Sequence, residues 1–338
     1  MLNWNNLDTL ASYQELEKAE RINLAEVMSG ENGAERVKTY STPIVDGLTF
    51  NYAAKAVDDN VLAILDKLAK EAQLVEKYES LYNGAVINTG EKRLVLHQLT
   101  RGQLGGKVEA DGVDKREFYV TQQKRIAEFA NQVHAGEITN AAGEKFTTVV
   151  QIGIGGSDLG PRAMYLAMEN WAKKNGAFKM EAKFISNVDP DDAAAVLNSI
   201  DVEHSLFVLV SKSGTTLETL TNESFVKDAL AKAGLDASKH MIAVTSETSP
   251  LAKSDDYLAA FFMDDFIGGR YSSTSAVGGA VLSLAFGPEV FAQFLEGAAE
   301  VDRRATNKNL LENPEMLDAL IGVYAVSYTH LTLPTILR

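Results

Sequence analysis

The chain has 338 residues, of which 46% are hydrophobic and 23% are charged, a balance typical of a globular protein with a sizeable core. It contains no cysteine, which excludes a disulfide framework, zinc–thiolate sites and cysteine nucleophiles. Its net charge of −14 argues against a nucleic-acid-binding protein, because such proteins present a basic field. The sequence shows neither a secretory signal pattern nor a long apolar stretch. We therefore expect a cytoplasmic protein that does not bind membranes.

Residues 1–120 are predicted to be mostly helical. Apolar side chains recur at helical spacing between positions 61 and 78, and a second amphipathic pattern predicts a helix over 117–135. The glycine-rich stretch 102–112 is predicted to be a loop.

From about residue 146, short β-rich runs alternate with helical patterns. The run 206–210 (LFVLV) is continuously apolar, which is typical of a strand buried on both faces of a parallel sheet. The alternation predicts an α/β fold with a doubly wound parallel sheet. The predicted elements are strands at 147–152, 183–186, 206–210 and 241–244, and helices at 161–174, 191–200, 215–233, 288–305 and 314–325.

Two strand-to-helix turns are rich in groups that bind anions. The first, Gly153–Pro161 (GIGGSDLGP), brings backbone N–H groups to a helix start, although a tight turn with Pro161 at the first helical position explains the glycines equally well. It is not a dinucleotide fingerprint, because Asp158 stands where the third glycine would be. The second, Ser211–Thr216 (SKSGTT), carries four hydroxyls and a lysine. Its alternative interpretation is a capping box formed by Thr215 with Glu218.

A third segment, Gly268–Ser275 (GGRYSSTS), places Arg270 after two glycines and before a hydroxyl-rich helix start. A guanidinium there suits a ligand oxyanion, whereas the alternative is an ion pair with Asp264 or Asp265. Because turns of one parallel sheet meet at the carboxyl ends of its strands, the first two turns together predict one anionic ligand at that edge.

None of the five histidines is predicted to be catalytic. His97 is expected to be a structural histidine, His134, His204 and His240 are expected to be surface or capping residues, and His330 lies in the C-terminal tail. No cluster of histidines and carboxylates has the spacing of metal ligands, so no metal is expected.

The three segments together resemble the glucose-6-phosphate isomerase family. The matching runs are IGIGGSDLGP (152–161), SKSGTTLET (211–219) and GGRYSSTSAVG (268–278), in the order of the family, and NTGEKRLVLHQLTRG (88–102) is similar to its helical-domain motif. The similarity spans about residues 40–325. It implies a helical region at 1–120, a sugar isomerase (SIS-type) α/β domain at 121–287 and the start of a second such domain at 288–325. Residues 326–338 are expected to be a non-native tail.

The resemblance implies interconversion of glucose 6-phosphate and fructose 6-phosphate through an enediolate, without a cofactor, by a protein that is a homodimer at full length. It assigns the phosphate to Ser211, Lys212, Ser213 and Thr216, in a loop that also holds Gly214 and Thr215. It assigns the sugar to Gly156 and Ser157, and the enediolate to Arg270. The family loop usually reads Ser-Lys-Thr-Phe-Thr-Thr, so Gly214 is expected to loosen it.

The family's catalytic glutamate, ring-opening histidine and C-terminal lysine match no segment here, so we expect a truncated, inactive chain. Two other functions stay open. One is a non-catalytic sugar-phosphate-binding module or regulator, and the other is a phosphosugar aminotransferase-type isomerase domain, which the N-terminal helical region fits less well.

Overall fold

The computed structural model describes residues 2–87, 90–102 and 105–327, and His330 and most of the predicted tail 326–338 lie outside them. The chain divides into two compact units, one made of residues up to Asn83 and from Ala299 onward, the other of Gly84–Ala298. These boundaries differ from the predicted domains, and a second α/β domain starting at residue 288 stays a prediction. No helix of the described residues has the length and apolarity needed to cross a membrane.

The helices are α1 Ala11–Glu17, α2 Leu24–Val27, α3 Gly30–Thr39, α4 Asp59–Glu71, α5 Leu74–Tyr82, α6 Lys115–Ala135, α7 Leu159–Asn175, α8 Pro190–Asn198, α9 Leu217–Lys232, α10 Ala276–Phe286, α11 Pro288–Arg304 and α12 Pro314–Ser327. The strands are β1 Ser41–Val45, β2 Leu48–Asn51, β3 Glu109–Ala110, β4 Val113–Asp114, β5 Thr148–Ile152, β6 Glu181–Ile185, β7 Ser205–Val210, β8 Met241–Ser246 and β9 Ala259–Met263.

The first unit is helical apart from the β1–β2 hairpin. Helix α4 begins where the Asp58 side chain accepts a hydrogen bond from the Val61 N–H, at 2.8 Å. Its apolar positions pack into one core with residues of α5 and α12. The helical spacing seen in the sequence is therefore confirmed, with a break at Gln73, whose φ of 53° is left-handed.

The second unit is built on a five-stranded parallel sheet of order β6-β5-β7-β8-β9. Along β7, Leu206, Val208 and Val210 pack with α6, α7 and α10, whereas Phe207 and Leu209 pack with α8 and α9. This alternation explains why the whole run is apolar. The predicted doubly wound α/β fold is confirmed.

Several element bounds differ from the sequence expectations. The predicted loop 102–112 contains the β3 strand, which pairs with β4 just beyond it. Helix α6 begins at Lys115 rather than 117, because Asp114 caps its N-terminus. Strand β9 is not predicted, since it is a short, partly exposed edge strand whose pattern is weak.

Candidate functional site

The strand order brings together the two turns that are predicted to bind an anion. The chain passes from β5 outward to β6, then returns to place β7 on the other side of β5 and continues to β8 and β9. The order therefore reverses between β5 and β7, and ligands of doubly wound folds bind in the crevice beyond the carboxyl ends of such a strand pair. The turn with Ser157 follows β5, and the turn Ser211–Thr216 follows β7.

The turn after β5 is packed tightly against the segment that carries Arg270. A Cβ atom on Gly156 would overlap the backbone carbonyl of Gly269 and crowd the Arg270 nitrogen. The Ser272 hydroxyl donates to the Gly269 carbonyl, at 2.7 Å, and lies 3.3 Å from that of Gly156. Only glycine at position 156 allows this contact, which brings Arg270 beside the turn.

The Ser157 hydroxyl makes no hydrogen bond to any residue that the structure describes. The backbone carbonyl of Ser157 accepts a hydrogen bond from the side-chain amide of Gln151, a buried residue of β5, at 2.6 Å. The Ser157 and Asp158 N–H groups donate to backbone carbonyls of the turn, so two of the amides expected to face a ligand are already used. Burial raises the pKa of Asp158 above its ordinary value. The Arg162 guanidinium, 2.7 Å from the Asp158 carboxylate, offsets only part of this rise.

The hydroxyls after β7 are organised by one another. The buried Ser211 Oγ accepts from the Gly214 N–H at 3.2 Å and lies 3.3 Å from the Thr216 Oγ1. The Ser213 Oγ accepts from both the N–H and the hydroxyl of Thr215, at 3.2 and 3.0 Å. Ser213, Thr215 and Thr216 are exposed, so their polar groups remain accessible to an anion.

The capping-box interpretation of this segment is wrong. Thr216, not Thr215, is the N-cap of α9, and it makes no side-chain cap hydrogen bond. The first turn of α9, which begins at Leu217, therefore keeps N–H groups that no capping side chain occupies. Such a helix start favours an anion.

That Gly214 loosens the loop stays a prediction, and the residue itself is closely packed. It is buried with φ +66°, and a Cβ there would overlap the Ser249 hydroxyl and crowd Leu251. The loop is thus held by the segment after β8.

Thr245 supports the same loop and is not predicted from the sequence. It is fully buried at the end of β8, and its hydroxyl donates to the Ser211 carbonyl at 2.7 Å. The next N–H, of Ser246, donates to the Lys212 carbonyl at 3.1 Å. The sequence pattern that could have indicated Thr245 is the hydroxyl-rich run TSETS, which follows the predicted strand 241–244.

The ammonium of Lys212 is paired with a carboxylate. Its Nζ lies 2.9 Å from the Asp265 Oδ1, and an Arg93 nitrogen lies 3.6 Å from the same oxygen. The hydrogen bond from Lys212 lowers the pKa of Asp265, with a smaller contribution from the charge of Arg93. The pair links the Ser211–Thr216 loop to the segment that precedes Arg270.

Arg270 is not paired with either upstream aspartate, so that alternative is wrong. Asp265 binds Lys212, and Asp264 binds the Lys115 ammonium at 3.3 Å and the Tyr119 hydroxyl at 2.8 Å. Arg270 is exposed and makes no ion pair with any residue that the structure describes. Its charge is therefore not neutralised by a carboxylate of the described residues.

The histidines are placed as follows. The ring of His97 faces Gly268, whose N–H lies 3.0 Å from its Nε2. His240 is fully buried rather than at the surface, and its Nδ1 lies 3.1 Å from the Ser205 carbonyl oxygen. The His134 Nε2 lies 2.8 Å from the Leu284 carbonyl oxygen, and His204 lies between two carboxylates.

Comparison with known proteins identifies the family. The phosphoglucose isomerase family model matches residues 51–337. The chain belongs to the phosphoglucose isomerase family. The matched range covers most of the tail 326–338, whose origin stays a prediction.

Curated relatives in this family are similar over nearly the whole chain. The glucose-6-phosphate isomerase of Treponema denticola is 59% identical over 96% of the chain, and that of Borreliella afzelii is 44% identical over 96%. A crystal structure of a glucose-6-phosphate isomerase from Chlamydia trachomatis superimposes with a TM-score of 0.84 at 38% identity, covering 95% of this chain and 60% of that one. The chain spans 62% and 61% of the two curated relatives. The resemblance found from the three motifs is thus confirmed.

Proposed function

We propose that the protein interconverts glucose 6-phosphate and fructose 6-phosphate through an enediolate, without a cofactor, as a cytoplasmic homodimer in its complete form. Membership of the phosphoglucose isomerase family supports the reaction. The observation that carries the assignment of the site is the position of the β5 and β7 turns at the point where the strand order reverses.

The phosphate binds to the loop after β7. Ser211, Lys212, Ser213 and Thr216 hold it, with Gly214 and Thr215 completing the loop. The exposed hydroxyls and the uncapped start of α9 support this role, because both favour an anion. The net charge of −14 repels a phosphate at long range, so these local donors and the Lys212 charge must supply the attraction.

Gly156 and Ser157 contact the sugar, and Arg270 stabilises the enediolate. A guanidinium is charged at every relevant pH and presents a rigid fork of N–H donors to an oxyanion. Donors fixed where negative charge develops supply a large part of catalysis in many enzymes. The contact between Gly156 and Gly269 supports this role, because it fixes the backbone of Arg270 against the sugar turn.

These 338 residues alone are proposed to bind substrate with negligible turnover. The glutamate, histidine and lysine that the resemblance implies match no segment of the chain, and loss of a general base alone lowers a rate by about 10²–10⁴-fold. Robust isomerisation by the purified chain would contradict this part of the proposal.

Calorimetric titration tests the assigned roles. Fructose 6-phosphate represents the ground state, and a phosphorylated sugar hydroxamate represents the enediolate. Arg270→Ala is expected to leave fructose 6-phosphate affinity nearly unchanged and to weaken the hydroxamate by about 10- to 100-fold, the range for a hydrogen bond to a charged group. Arg303→Ala, an exposed arginine of α11, is the matched control and is expected to change neither.

The non-catalytic binding module remains the second candidate, because the loop after β7 serves it equally well. An equal loss of affinity for both ligands in Arg270→Ala would favour that module. No binding of either ligand to the wild type would remove the sugar-phosphate site.

A further inference from the structure

The backbone around Arg270 is held by the segment that contains His97. The Leu96 N–H donates to the Phe266 carbonyl at 3.0 Å, before Arg270 in the chain. The Thr100 and Thr274 hydroxyls share a hydrogen bond of 2.8 Å after it. Because Arg270 itself has no ion-pair partner among the described residues, the position of its guanidinium depends on this backbone support.

Among the hydrogen bonds from this segment, the one that His97 makes lies nearest to Arg270 in the sequence, at Gly268. Its Nε2 lies 3.0 Å from the Gly268 nitrogen and 3.4 Å from the Gly268 carbonyl oxygen. One ring nitrogen cannot accept from the N–H and donate to the oxygen at the same time. The N–H contact is the shorter and has the length of a good hydrogen bond, so we assign a neutral ring with its proton on Nδ1.

We propose that His97 is a positioning residue for Arg270, acting as the neutral acceptor that fixes the Gly268 amide two residues before the arginine. The inference rests on the proposed function, in which Arg270 meets the enediolate. Protonation places a hydrogen on Nε2, which then repels the Gly268 N–H and can only donate to the carbonyl. The peptide that leads to Arg270 must then reorient.

The surroundings of His97 favour the neutral ring. Burial lowers the pKa of His97 below its ordinary value, and the charge of Arg101 lowers it further. The Gly268 carbonyl and the Asp264 carboxylate oppose the shift, and the Tyr271 ring stands edge-on at 6.2 Å. The acceptor is therefore present at neutral pH and is lost only as pH falls through the depressed pKa.

The direct test is a spin–spin coupling across the hydrogen bond in the full chain. In isotopically labelled protein, the Gly268 nitrogen is expected to couple to the His97 Nε2 at neutral pH, and the coupling is expected to vanish as the ring titrates. A proton on Nε2 at neutral pH, or no coupling, would overturn the proposal. This readout needs no substrate, so it tests the His97–Gly268 hydrogen bond separately from the proposed function.

Binding of the phosphorylated hydroxamate supplies the second readout. Wild-type affinity is expected to fall by about fivefold, the loss of one hydrogen bond, as His97 becomes protonated. His97→Gln places a non-titrating oxygen near the Nε2 position, so it is expected to keep the neutral-pH affinity and abolish the fall. His134→Gln replaces a half-buried histidine elsewhere, whose pKa is also lowered by burial. This variant is expected to show the same fall in hydroxamate affinity as the wild type. A fall that persists in His97→Gln would contradict the proposal.

Discussion

Gly156 and Gly269 lie backbone against backbone, and there is no space between them for a single methyl group. We expect Gly156→Ala to push apart the turn that carries Ser157 and the segment that carries Arg270. Overpacking of this kind costs about 1–3 kcal/mol of unfolding free energy, which urea denaturation measures.

Gly297→Ala provides the control of opposite sign. Gly297 is in α11, is exposed, and has nothing within 4 Å of an added Cβ. Alanine there is expected to stabilise by about 0.5–1 kcal/mol, because glycine disfavours a helix interior. Equal stability of Gly156→Ala and wild type would contradict the packing described.

The Lys212–Asp265 pair is expected to compete with a phosphate for the ammonium. Asp265→Asn removes the carboxylate, so inorganic phosphate is expected to bind more tightly, by a factor of about two to five, the scale of an exposed ion pair. Asp256→Asn changes the net charge equally but breaks the pair with Lys227 instead, and is expected to have no such effect. Calorimetry at low salt measures the phosphate affinity of both variants. Weaker binding in Asp265→Asn would mean that the carboxylate positions Lys212 rather than competing for it.

Thr245 is expected to be needed for the shape of the Ser211–Thr216 loop, which is proposed to bind the phosphate. Thr245→Val keeps the volume but leaves the buried Ser211 carbonyl without its donor, which costs about 1–3 kcal/mol. Both stability and phosphate affinity are expected to fall. Thr245→Ser retains the hydroxyl and is expected to keep the affinity. If the valine variant binds phosphate as wild type does, the hydroxyl does not support the loop.

His204 is expected to make stability depend on pH. Its ring nitrogens lie 2.9 Å from Asp201 and 2.8 Å from Glu144, and the hydrogen bonds to these carboxylates raise the pKa of His204. Its contribution is therefore fully present below the ordinary histidine pKa of about 6.5 and is lost as pH rises through the raised value. In His204→Gln, the small decrease in unfolding free energy as pH rises through the His204 pKa is expected to disappear. A variant with the same pH profile of stability as the wild type would contradict this role of His204.

The sequence predicts the layers of the sheet better than the contacts at its edge. The apolar run of β7 and the glycines of both turns are local patterns, so the fold and the two turns follow from them. The Lys212–Asp265 pair depends instead on β9 lying two strands from β7, and β9 has no clear pattern. The capping-box prediction failed because Thr215 and Thr216 are both acceptable caps by residue type, and the helix begins after the second.

The turns after β5 and β7 are proposed to contact one phosphorylated sugar. Amide chemical shifts during titration test it most directly. We expect fructose 6-phosphate to move the signals of Gly156 and Ser157 together with those of Ser213 and Thr216, with one common dissociation constant, and inorganic phosphate to move mainly the second group. Signals of the β5 turn that stay unchanged, or that saturate at a different concentration, would contradict the claim.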